Sequence, residues 1–330
     1  MKLKIKKRVL KNIVSIVSYF FIFAFLIFCW QIYFPIKSGS SENIEFWAQK
    51  GEGDEEIAIR LEDQGIIRNN YFFRLYAIIS GNDSKLQAGK YSLSPSMTIP
   101  EIIKKFVSGD VIKEKITILE GWNIKAIEKY LVEKEIFNTE DIKNALSKDY
   151  RGDFDFLNSS SIEGYLFPDT YSISLEERPE DVVRMILSNF NKKLNAGLRE
   201  QIISQNKTIF EIITMASIIE KEAKSMDDKK IVSGIFWKRI DAGMALQSCA
   251  TVNYITGKND PGVSIKDTQI DSPYNTYLYK GLPAGPISNP GMDSILAAIY
   301  PTKTKYWYFL ANGNGKTVFS ETFAEHSNSR

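Results

Sequence analysis

Thr208-Ile209-Phe210-Glu211-Ile212-Ile213-Thr214-Met215-Ala216-Ser217-Ile218-Ile219-Glu220-Lys221-Glu222-Ala223 opens as a capping box, with Thr208 three residues before Glu211. A helix is therefore expected to start near Ile209. At about 100° per residue, Ile209, Ile213 and Ala216 share one stripe, and Glu220 lies within about 40° of it. Glu222 lies about 160° from Glu220, so a regular helix cannot aim both carboxylates into one pocket. Glu220 is expected to face the core, where it needs a hydrogen-bond partner. Glu222 is expected to face away, near the helix end implied by Ser225-Met226-Asp227-Asp228. The negative end of the helix dipole raises the pKa of a carboxylate there, as a general acid requires, while Lys221 and Lys224 act the other way.

Around this stretch the chain is rich in helical periodicity: Ile124 to Leu131, Asp181 to Leu194, and Asp227 to Ile240. Near the C-terminus, Lys305 to Leu310 and Lys316 to Phe319 flank Asn312-Gly313-Asn314-Gly315, a hairpin signal. Gly315-Lys316-Thr317 imitates the tail of a phosphate-binding loop, but the glycine required five positions earlier is Leu310. A turn explains it, and no nucleotide cofactor is expected. Upstream, Asp54 to Gln64 and Phe72 to Ile79 read as helices and Gly89 to Leu93 as a strand. Thr98-Ile99-Pro100-Glu101 is a second capping box whose helix Gly109 ends, and Ile112 to Leu119 alternates like a half-buried strand. The fold class is α+β, with a small module over 44–115 and a larger mixed helix/strand domain over 116–330.

From Asn12 to Ile36 no charged residue occurs, a run of 25 positions, more than the ~20 that cross a bilayer core. Trp30 and Tyr33 lie near its far end, where interfacial aromatics belong. A cleaved signal peptide carries a shorter apolar region, and bulky Phe28 before Cys29 disfavours a lipoprotein site. The expected plan is a cytoplasmic tail over 1–11, a transmembrane anchor over 12–36 and a polar linker over 37–43, with everything beyond outside the cytoplasm. Six of the 42 basic residues precede the apolar run, leaving 36 basic against 40 acidic residues in the remainder. That mildly acidic balance argues against nucleic acid as a partner. With two cysteines and one histidine, a multi-histidine zinc site is excluded, and any imidazole chemistry would fall to His326 alone.

Four further segments carry a resemblance: Glu163-Gly164-Tyr165-Leu166-Phe167-Pro168-Asp169-Thr170-Tyr171; Ala216 to Ala223; Leu246-Gln247-Ser248-Cys249-Ala250-Thr251-Val252-Asn253-Tyr254; and Tyr274-Asn275-Thr276-Tyr277 followed by Gly281-Leu282-Pro283-Ala284-Gly285-Pro286-Ile287 and Asn289-Pro290-Gly291. In order and spacing they resemble the MltG/YceG-like endolytic murein transglycosylases, with Glu120-Gly121 and the module before it fitting the family's LysM-like subdomain. Cys249 departs from the Asp that many relatives carry.

The resemblance implies a lyase that cleaves the MurNAc–GlcNAc bond of peptidoglycan glycan strands and leaves 1,6-anhydro ends, without metal or cofactor. It implies Glu222, the second acid of Glu220-Lys221-Glu222, as acid then base, with Glu220 the competing choice. Glu163 is a candidate second acid or substrate contact, or else a turn residue bonding backbone amides. Gln247, Asn275 and Thr276 are candidates to hydrogen-bond the glycan, and Tyr254, Tyr274 and Tyr277 to stack on it. The expected surroundings are the cytoplasmic membrane and the wall polymer, with peptidoglycan synthases or elongation and division proteins left open as partners. Two other readings stand beside the lyase: a non-catalytic wall-binding protein, and a muramidase that hydrolyses the same bond.

Overall fold

The computed structural model describes residues 2–174, 176–258, 262–311 and 317–328. They form two compact units, one of 1–114 with 173–176 and the other of 115–172 with 177–330.

The first unit begins with α1 (Lys2–Tyr33), of which Lys11–Tyr33 is long and apolar enough to cross a membrane. It continues with β1 (Ile44–Ala48), α2 (Asp54–Asp63), α3 (Asn70–Ile79), β2 (Gly89–Leu93) and α4 (Ile99–Ser108). β1 and β2 pair antiparallel, Ile44 opposite Leu93 and Phe46 opposite Tyr91. Alternate residues of each strand therefore turn to one face, and Phe46, Ala48, Tyr91 and Leu93 are fully buried there. The Phe106 ring of α4 sits among Phe46, Phe73 and Tyr91, at centroid distances of 5.8, 6.5 and 4.4 Å. Thr98 caps α4 with a capping box, as its sequence predicts.

The end of α1 and the residues just after it are pinned to this unit, and the expected 37–43 linker is tied to it at Lys37. Ile32 is fully buried in its core, Arg68 donates to the Phe34 and Pro35 carbonyls at 2.5 and 2.6 Å, and Lys37 N–H bonds Pro95 O at 3.1 Å.

The second unit follows from β3 (Lys113–Thr117), through α5 (Ile124–Glu133), α6 (Thr139–Ser147), β4 (Thr170–Ser174), α7 (Pro179–Lys193), α8 (Ala196–Ser204), α9 (Ile209–Glu222), α10 (Met226–Asp241), α11 (Cys249–Thr256) and α12 (Met292–Ile299). It ends with β5 (Tyr308–Ala311), β6 (Thr317–Ser320) and α13 (Phe323–Asn328). β5 and β6 are antiparallel, Tyr308 opposite Ser320. The expected Asn312–Gly315 turn and Lys316 lie outside the described residues. His326 packs on Tyr308, ring centroids 5.5 Å apart.

α9 is the centre of this unit. Every residue from Ile212 to Ile219 is buried, and the helix packs against α8, α10, α11 and α12. The single apolar stripe read from periodicity is thus a correction: a helix apolar all round is enclosed on all sides. Its far side meets more protein, not solvent.

Candidate active site

α9 ends at Glu222, and its last turn sends two carboxylates to the starts of two other helices. Glu220 accepts from Gly291 N at 2.9 Å and Ser294 Oγ at 2.7 Å, at the N-terminus of α12. It also pairs with Lys229 Nζ at 3.2 Å, the side chains only 9% and 4% exposed. α12 has no side-chain cap of its own, so Glu220 supplies one from α9. The expectation that Glu220 faces the core and finds a partner describes this arrangement.

Glu222 does the equivalent for α11. Ser248 stands at the N-cap position of that helix but makes no cap bond. Its hydroxyl instead donates to Glu222 Oε1 at 2.5 Å, and the backbone N–H of Ala250 bonds the same carboxylate. Burial pushes the Glu222 carboxyl above its ordinary range. The Ser248 and Ala250 bonds and the charge of Arg239 oppose that rise without cancelling it. Desolvation is thus the leading cause of the raised pKa. Glu220 lies outside the cleft that Glu222 lines.

That cleft, about 790 Å³, is built from the start of α5, the end of α9 and one face of α11. Trp122, Asn123, Lys221, Glu222, Asn253 and Tyr254 line it, together with Glu120 and Cys249. It is large enough for more than one sugar ring and offers both stacking faces and hydrogen-bonding groups. Glu120 is a second carboxylate in the lining. Burial, then the nearby charge of Glu220, holds its pKa up, with Asp293 adding and Lys229 subtracting. A side chain at Gly291 would overlap the Glu120 carboxylate and oblige it to swing away.

The remaining sequence candidates divide by depth. Tyr254 lines the cleft, and Tyr274 packs against it from behind, centroids 5.1 Å apart. Tyr277 lies behind Cys249, its hydroxyl 3.1 Å from the thiol. Asn275 is fully buried: its amide donates to the Thr268 and Ile270 carbonyls at 3.1 and 2.8 Å and its oxygen accepts from Tyr277 N. Thr276 Oγ1 accepts from Ser248 N at 3.1 Å, and its carbonyl accepts from Gln247 N at 3.0 Å. Thr276 supports the turn that presents Ser248, Asn275 holds the loop that carries Thr276, and neither is part of the lining. Gln247 is exposed and holds a left-handed backbone, φ 53°, which is uncommon for a residue with a side chain. Arg239, 6% exposed, ties that turn down by donating to Leu246 O at 2.7 Å and to Trp307 O.

Glu163, 4% exposed, lies one layer behind the cleft. It accepts from Ile124 N at the start of α5, from Asn289 Nδ2 at 3.2 Å and from the Tyr254 hydroxyl at 3.4 Å. Burial outweighs these bonds and pushes its pKa up to about 7. Gly164, next to it, has φ 90°, and a Cβ there would overlap Pro286 and Ile213 of α9.

Sequence reasoning named neither Asn289 nor Ser248 as a site residue. Asn289 accepts from Leu166 N and donates to Trp122 O and Glu163, joining the first and last of the four motif segments to the turn before α5. Only its place in the Asn289-Pro290-Gly291 motif signalled it.

Fold and cleft together define an α+β protein with an N-terminal apolar helix and a desolvated carboxylate at the edge of a cleft with a mixed polar and apolar lining. A family model described as the YceG-like family matches residues 46–330, and the chain belongs to that family. It is 34% identical over 313 residues to an endolytic murein transglycosylase of Bacillus subtilis (strain 168), covering 90% of this chain and 86% of that one. It is 30% identical over 336 residues to an endolytic murein transglycosylase of Streptococcus pneumoniae serotype 2, covering 90% of this chain and 60% of the relative. A crystal structure of a yceG-like protein from Listeria monocytogenes superposes with a TM-score of 0.59 at 31% identity, over 88% of this chain and all of the other.

Proposed function

We propose that this chain is an endolytic murein transglycosylase whose proton transfers are carried by Glu222. The observation that supports it best is the Glu222 carboxyl itself, held above its ordinary pKa by burial in a cleft of a YceG-like protein. A carboxyl whose pKa burial has raised holds its proton to higher pH, which suits general acid work.

In the proposed reaction Glu222 gives its proton to the glycosidic oxygen between MurNAc and GlcNAc as the C1–oxygen bond breaks. The C6 hydroxyl of the same muramic ring then attacks C1 and returns a proton to Glu222. The carboxyl ends as it began, no water is consumed, and the product carries a 1,6-anhydro end. Ser248 and Ala250 N–H are placed to stabilise the carboxylate between the two steps. Tyr254 offers a stacking face in the lining.

We place the outer units beyond the cytoplasmic membrane, with the N-terminus inside. The basic residues before the span support that orientation, by the positive-inside tendency. The β-α-α-β order of β1, α2, α3 and β2 supports reading the first unit as LysM-like.

Digestion of purified glycan strands by the full chain in detergent tests the function. Mass analysis is expected to find anhydro ends with wild type and no new ends with Glu222→Gln. Binding without cleavage by wild type would defeat the proposal. A second reading, hydrolysis of the same bond, draws support from Glu120, since glycoside hydrolases use a pair of carboxylates. Products heavier by one water would favour it.

A further inference from the structure

α3 runs beside the end of α1 at a fixed height. The Phe28 ring of α1 lies 6.2 Å from Phe72, and Tyr33 lies 6.3 Å from Tyr76. Both pairs advance in the same direction, so α3 accompanies the last turn and a half of α1. Arg68 stacks over Trp30 at 4.6 Å, and Ile32 enters the unit's core, which holds the two helices together.

This docking sets a depth. At 1.5 Å per residue, about 20 residues cross a hydrocarbon core of ~30 Å. Counted from Lys11, where the span begins, that distance ends near Trp30 and Gln31. Phe28 falls short of it, and Phe72 beside it brings the first turn of α3 to the same level.

The face that α3 leaves open is apolar. Tyr71, Leu75 and Ile78 follow one another at helical spacing and are 72, 42 and 56% exposed, with Ile79 next to them at 65%. Arg74, the helix's sole charge, turns instead to Asp54 and Glu55 at 3.5 and 3.2 Å. Four large apolar side chains on a ten-residue helix form the kind of patch that marks a contact surface.

We infer that this face of α3 is a membrane-contact surface, seated in the interfacial layer of the bilayer that α1 crosses. Lipid is the occupant because the face is continuous with the lipid-facing surface of α1 and stands at its depth. Tyr71 then sits where the ring prefers to be, between headgroups and acyl chains. The first unit thus rests on the membrane by two elements, and its height above the bilayer is set by packing rather than by linker length. The inference rests on reading α1 as a membrane span.

The test uses the full chain, with Cys29→Ser and Cys249→Ser, reconstituted in phosphatidylethanolamine and phosphatidylglycerol vesicles. Single cysteines replace Tyr71, Leu75 and Ile78 and carry an environment-sensitive fluorophore. Val17→Cys reports the anchor, and Lys50→Cys, at the end of the β1–β2 ladder remote from Lys37, reports water. Nitroxide carried on lipid near the headgroup is expected to quench positions 71, 75 and 78 several-fold more than position 50, with aqueous iodide doing the reverse. Quenching by iodide alone at those three positions would overturn the inference. So would shielding from both quenchers, which would mean that protein, such as a second copy, covers the face. Lipid quenching at position 17 but not at the other three would overturn this inference alone, whereas its loss at position 17 as well would remove the anchor with it.

Discussion

Ser248 occupies the N-cap of α11, yet its hydroxyl bonds Glu222 at the end of α9. The acid and the helix start complete one another: the helix supplies an N–H donor, and the carboxylate fills the place of the missing cap. Removing the hydroxyl takes away a donor to the charged form. In Ser248→Ala, the limb on which activity falls with rising pH is expected to move to higher pH, because Glu222 holds its proton further. The pH profile of kcat/KM measures this, and an unmoved limb would mean that another group sets it. Glu222→Gln keeps the size of the side chain and one acceptor oxygen but has no acidic proton to transfer. A loss of about 10²–10⁴ in kcat with little change in Tm is expected.

The Glu220–Lys229 pair is buried and its carboxylate also caps α12. Breaking it from one side leaves an unpaired charge in the core. Lys229→Met is expected to cost about 3–5 kcal/mol in denaturant unfolding. Adding Glu220→Gln to that variant should recover part of the loss, since it removes the orphaned charge. Additive losses in the double-mutant cycle would show that the pairing is not what matters.

Glu163 gives the protein a pH-dependent stability of unusual sign for a carboxylate. In the native state it keeps its proton until about pH 7, whereas an ordinary glutamate ionises near 4.5. Between those values the unfolded chain holds fewer protons, so native stability falls as pH rises through the window. The contribution is fully present below 4.5 and is lost above 7, a span of about 3 kcal/mol. Glu163→Gln removes that slope. Compared with wild type, it should be at its worst at pH 5 and gain steadily towards pH 8, as urea unfolding at both values would record. A difference independent of pH would contradict the assignment.

Gly164→Ala places a methyl group against Pro286 and Ile213 with φ at 90°. Strain and overlap together should cost about 3 kcal/mol, and the segment would pull away from α9. Retention of the wild-type Tm would show that the backbone yields more easily than the packing suggests.

The elements legible in sequence share one physical property, that their signals are local. Thr98 with Glu101 and Thr208 with Glu211 close their capping boxes within one turn, and both helices start where those pairs predict. The Asn12–Ile36 run is likewise read from adjacent residues, and the helix through Tyr33 follows from it. By contrast, α11 and α12 went unread as helices. Each is short, and each takes its cap from an acid of α9: Gly291 has no side chain to cap α12, and the Ser248 hydroxyl turns to Glu222 instead of to its own helix.

The same division holds for the site. Sequence alone determined the family motifs, the apolar segment, and the opposite directions of Glu220 and Glu222, because helix geometry follows from residue spacing. Which acid stays in a cleft and which becomes a buried cap was settled only by the packing of α10, α11 and α12 around α9. Burial, which raises the pKa of both Glu222 and Glu163, is a property of surroundings contributed by distant segments. So is the demotion of Asn275 and Thr276 from lining to support: their partners are backbone and hydroxyl groups that folding alone brings within reach.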